Sequence, residues 1–215
     1  MATEIDYGLL RQEIADATKR TFTSLREQHA GETFYAFALC TDDDAGTVFA
    51  AANSEEGLRR TAEKHAADSD ESPETWMEEL RWLPDDWDSG EKEAEQFDAV
   101  QQMTDIRQFA DQGEKAGQRR RQQVFRTFIQ ALKDVDAEGL FGTGGQREGM
   151  TVLLWITDSD DEEQIKQWAR ELNPAPAFER FAQACIDDDE SDDEFDDDFD
   201  EEFDDEFDEE SDDED

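Results

Sequence analysis

The chain has 215 residues, enough for one sizeable core, and its 62 acidic against 20 basic residues give a net charge of −42. Residues 187–215 hold 23 of those acids and no base, so the first 186 residues still carry 39 acids against 20 bases, a net of −19. Both parts repel polyanions, which argues against nucleic acid and anionic membrane as direct partners.

Hydrophobic spacing predicts a first helix over about Asp6–His29, with Leu10, Ile14, Ala17, Phe22 and Leu25 inward. A strand at 33–41 follows, with Phe34, Ala36, Ala38 and Cys40 on one face and Tyr35, Phe37 and Leu39 on the other. Both faces are apolar, so this is read as the central strand of a sheet covered on both sides. A turn over Asp42–Gly46, with Gly46 free to take positive φ, leads to a hairpin partner at 47–53. Ser54 is the expected N-cap of a second helix, with Leu58, Ala62 and either His65 or Ala66 inward. Trp76–Trp87 reads as a short helix or strand and a turn around Pro84 at the domain edge.

A long helix is expected over Glu91–Gln112, with Phe97, Val100, Met103, Ile106 and Phe109 on one stripe. The next, Gln118–Asp136, has the clearest pattern: Val124, Phe125, Phe128, Ile129, Leu132 and Val135. After a glycine-rich loop, 139–149, comes a strand at 150–157 that should pair with the first. Asp158, Ser159 and Asp160 are read as capping a helix that buries Ile165, Trp168, Ala169 and Leu172. The last helix, about Pro176–Cys185, carries Phe178, Phe181, Ala182 and Cys185. The expected fold class is α+β: a small, mostly antiparallel sheet covered by amphipathic helices in a single domain, 1–186. Residues 187–215 are expected to be a disordered acidic tail.

Within the tail, Phe195, Phe199, Phe203 and Phe207 recur every fourth residue among acids. Two readings stand side by side. The segment is a solubilising tail, or it is a recognition segment whose acids attract a basic partner and whose Phe side chains bury in pockets on it. The basic run Arg119–Arg121, with Lys115 and Arg126, is read as a solvated helix face. Its sharper alternative is a dock for the chain's own tail or an acidic partner.

Catalytic and cofactor patterns do not assemble, and no cofactor is expected. Asp42–Asp44 lacks calcium-loop spacing and reads as a turn; Asp158–Glu162 reads as a helix start. Gly142–Gly145 lacks the lysine of a phosphate loop. His29, His65, Cys40 and Cys185 do not have zinc-ligand spacing, and the cysteines read as buried thiols of a reducing compartment. The first residues have neither the basic nor the apolar region of a signal peptide, so a cytoplasmic location is expected.

The runs ETFYAFALCTDDDAGTVFAAANSEEGL, RWLPDDW (Arg81–Trp87), TVLLWITDSD and ELNP carry a resemblance. Over about Ile5–Phe181 the chain resembles a bacterial family known as domain of unknown function family 4303. The family has no established activity, so the resemblance implies no catalytic residues. It is similar in size to domains found near bacterial polymorphic toxins, where immunity proteins act by binding. The expected function is a non-enzymatic protein-binding domain, of immunity type in its sharpest form, facing a basic protein. The alternatives are a housekeeping domain whose tail maintains solubility, and an enzyme with exposed Trp82 and Trp87 lining its pocket.

Overall fold

The computed structural model describes residues 4–89, 93–105, 113–157, 159 and 161–191, the last seven by backbone alone. Three strands, β1 (Phe34–Thr41), β2 (Val48–Ser54) and β3 (Thr151–Ile156), form one sheet in the order β2-β1-β3. β1 is central, as its two apolar faces require. It pairs antiparallel with β2 and parallel with β3, so the sheet is mixed. The antiparallel expectation holds for the hairpin. The parallel pairing follows from the long helical connection between β2 and β3, which returns the chain to the same end of the sheet.

Helices cover both faces. On one, Phe37, Leu39, Val152 and Leu154 meet α1 (Tyr7–Gln28) through Ile14 and Phe22 and α5 (Glu114–Ala137) through Phe128 and Leu132. Arg11 on α1 makes a two-pronged contact to Asp134 on α5 at 2.5 Å, linking the two helices beside their apolar contact. The other face presents Ala36, Ala38, Cys40 and Ala51. These small side chains admit Leu58 of α2 (Glu55–Ala67), Ile165 and Ala169 of α7 (Glu162–Leu172), and Phe181 of α8 (Ala175–Ser191).

One register detail alters the face assignment. Phe34 pairs with Ser54 and Ala36 with Asn53, leaving Tyr35 as the extra residue of a β-bulge. Phe34 therefore packs with the Phe37 side of the sheet, while Tyr35 joins Ala36, Ala38 and Cys40. Strict alternation would have placed both residues on the opposite faces.

The 42–46 turn is built by a side chain. Asp42 accepts hydrogen bonds from the amides of Asp44, Gly46 and Thr47 at 2.8–3.1 Å. Positive φ falls on Ala45 (57°) instead of Gly46, and the Ala45 methyl is fully buried. Asp42→Ala should cost about 1–2 kcal/mol, because it strands these amides in a tight turn. Asp42→Asn, which keeps an acceptor, should cost less. Urea unfolding of the two variants checks the order.

Elsewhere the helices differ in extent from their hydrophobic patterns. α3 (Pro73–Leu80) begins with Ser72 as N-cap and proline in its first turn, earlier than the tryptophans indicate. The stretch expected as one helix from 91 contains a 3₁₀ turn (Ala94–Phe97) and α4 (Asp98–Thr104); Ile106 and Phe109 lie outside the described residues. The glycine-rich loop contains one helical turn, α6 (Gly145–Glu148). Asp161 is the residue that caps α7, its carboxylate accepting from the Gln164 amide. α8 runs to Ser191, across the boundary drawn at 186.

Candidate functional site

The bulge at Tyr35 starts one wall of a groove. The phenol donates to the Arg81 carbonyl (2.8 Å) and accepts from the Asn53 side-chain amide (3.1 Å). Burial pushes the Tyr35 pKa well up, outweighing the nearby Arg81 charge, so the phenol stays a neutral donor. Arg81, at the end of α3, lies 4.8 Å over the Tyr35 ring and makes a two-pronged bond to Glu55 at 2.9 and 3.0 Å. That bond raises the Arg81 pKa further, so the guanidinium remains charged. Trp82 stands edge-on between Tyr35 and Phe181, 5.6 Å from each ring. Leu83, 39% exposed, and half-buried Trp155 complete an apolar recess of about 1030 Å³. Trp155 donates its indole N–H to Asp85 at 3.1 Å.

Charged groups rim this recess. Glu55 and Glu162 are matched by Arg81 and Lys166; Glu78 and Glu79 face water on the α3 side. Arg180, on α8, donates to the carbonyls of Pro176 (3.0 Å) and Glu148 (2.6 Å). Among the described residues no carboxylate pairs with it.

A second concavity of about 720 Å³ lies where β1 and β3 end. It is lined by Asp42, Asp43, Asp44, Asp98 and Asp105, with Gln101 and Thr157. Arg121 approaches it, 3.6 Å from Asp44. Arg120 instead reaches the Thr104 carbonyl at 3.2 Å, while Lys115, Arg119 and Arg126 face water. The basic run is thus partly drawn into the fold and partly solvated.

The remaining chemistry-bearing residues have structural tasks. His29 ends α1 and bonds Glu32 at 3.3 Å; His65 stacks on Trp76 at 4.7 Å. Cys40 is fully buried; Cys185 falls where side chains are not described. Ser54 caps α2 through the Gly57 amide and donates to Glu32. Ser89 clamps both backbone groups of Ala52 on the edge strand β2. Among the described residues no three His, Cys, Asp or Glu side chains are grouped to hold a metal ion. Nor is any helix among them long and apolar enough to cross a membrane. Trp82 and Trp87, expected at an exposed edge, are buried beneath the sheet, since the small side chains of β1 leave room for their rings. Phe195, Phe199, Phe203 and Phe207 lie outside the described residues. The sequence patterns missed Tyr35, Arg81 and Arg180 as groove residues; the Arg81–Trp87 run was the one available signal.

Fold and groove together define a helix-covered α+β domain with a three-stranded mixed sheet. The chain belongs to the family described as domain of unknown function DUF4303, whose model matches residues 14–174. The match ends before α8, so Arg180, Phe181 and all that follows lie beyond it. No curated protein and no solved structure matches the chain.

Proposed function

We propose that this protein is a non-catalytic binding module whose acidic surface, with the acidic segment 187–215 and its Phe195, Phe199, Phe203 and Phe207, engages a basic protein. An immunity-type role, blocking a basic toxin, is the sharpest form of this reading. The observation that carries it is the convergence of five aspartates on one concavity at the strand ends, with Arg121 as the approaching cation. Exposed carboxylates such as Asp43, Asp44 and Asp98 attract cationic side chains at long range and set their register at contact. The structural use of His29, His65, Cys40, Ser54 and Ser89 supports binding over catalysis.

The test is fluorescence anisotropy of a labelled Lys/Arg-rich peptide. Asp43→Asn, Asp44→Asn and Asp98→Asn combined should weaken binding about tenfold, at roughly 0.5 kcal/mol for each charge contact. A chain ending at Ser191 should weaken it further. Unchanged affinity in both variants would leave the acids a solubility role and end the binding reading.

A further inference from the structure

We infer that Arg121 is a built-in competitor for the partner's cations: it holds one carboxylate of the acidic concavity in the free protein and gives it up when a basic segment binds. This role rests on the basic-partner reading and adds to it a residue of the chain that limits affinity. The fold sets α5 beside the concavity. Arg120 donates to the Thr104 carbonyl at the end of α4, the helix that brings Asp98 and Gln101 to the lining, and so ties the first turns of α5 next to it. Asp42 commits its carboxylate to the amides of Asp44, Gly46 and Thr47, which holds exposed Asp44 in place on the turn. Arg121, one residue on from Arg120, then lies 3.6 Å from Asp44 Oδ1. The contact is loose. It is the longest ion pair among the described residues, and its two side chains are 39% and 54% exposed. Arg11–Asp134 and Arg81–Glu55, by contrast, are two-pronged at 2.5–3.0 Å. An exposed pair of this kind adds little to the fold. It does matter to an incoming cation, which meets a like charge until Arg121 moves off Asp44. A basic segment brings several cations at once and engages Asp43 and Asp98 together with Asp44, which the single guanidinium of Arg121 cannot match. Arg121 thus favours a densely basic segment over an isolated cation.

The experiment is fluorescence anisotropy of the labelled Lys/Arg-rich peptide with the full-length chain, comparing Arg121→Gln with Arg119→Gln. The two variants change the net charge equally. Arg119 is exposed and lies about 200° around the helix from Arg121, so it is the control for charge alone. Arg121→Gln should tighten binding about threefold, the gain expected when one exposed ion pair no longer competes. Arg119→Gln should tighten it less than about 1.5-fold at physiological salt, where a charge not in contact is largely screened. In an Asp44→Asn background, which lacks the carboxylate that Arg121 holds, the two variants should give equal gains. Equal gains in the wild-type background, or weaker binding by Arg121→Gln, would overturn the competition and leave the basic-partner reading standing. A peptide that binds neither the wild type nor any variant would overturn both.

Discussion

Arg147→Met should lower the stability of the fold by about 3–4 kcal/mol, the loss expected when one partner of a buried, hydrogen-bonded charge cluster is removed. The Arg147 side chain is one-tenth exposed. Its guanidinium donates to Asp136 (2.6 Å), the Met150 carbonyl (2.6 Å) and the Leu172 carbonyl (2.7 Å), with Asn173 Oδ1 at 3.4 Å. One side chain thereby ties the end of α5, the entry to β3 and the last turn of α7 to the glycine-rich loop. Asn173 extends the tie by bonding both the N–H and the C=O of Val152 on the free edge of β3. The loop exists to deliver this residue: Gly139, Gly142 and Gly144 all take positive φ, and a Cβ on Gly142 would stand 3.0 Å from that of Gln146. Arg147→Lys keeps the charge but not the planar fork, and should recover only part of the loss. Urea unfolding with an unchanged slope measures it. A loss below about 1 kcal/mol for Arg147→Met would show that the cluster is not a fold determinant.

Glu32 should give the fold an acid-sensitive component. Burial raises its pKa, but hydrogen bonds from Arg60, Ser54 and His29 outweigh that and hold it at about 2, against an ordinary 4.5. In this interval the unfolded chain binds a proton that the folded chain does not. The contribution is therefore complete above the ordinary value and is lost as pH falls toward 2. Its ceiling is about 3 kcal/mol, reduced by the partial exposure of Arg60. Acidification also relieves repulsion among the many other carboxylates, which acts in the opposite direction. The difference between wild type and Glu32→Gln isolates the site. The variant should be less stable at neutral pH, and the gap should close as pH approaches 2. A gap of constant size across that range would mean that the Glu32 carboxylate is not the linked group.

The strands were legible because their apolar runs are continuous, and α1 and α5 because their stripes hold the helical period over many turns. The bulge at Tyr35 was not legible, since it depends on how β1 meets β2 and not on either strand's composition. The parallel placement of β3 is likewise a property of the connection. Trp82 and Trp87 were assigned to an edge because their run lacks helical spacing; burial came from the alanines opposite them. Arg147 was hidden for a related reason: in sequence it is one arginine in a polar loop, and only the fold places carbonyls around it. The groove needs residues from β1, α3, β3 and α8, so no local pattern contains it.

The central claim is that charge brings this protein to its partner. Its most direct measurement is the affinity of the full-length chain for a labelled Lys/Arg-rich peptide, set beside that for a single-stranded oligonucleotide, as salt rises from low to physiological. The account predicts peptide binding that weakens steadily with salt and no oligonucleotide binding at any point. Peptide binding that salt does not affect, or an oligonucleotide held at physiological salt, would contradict it.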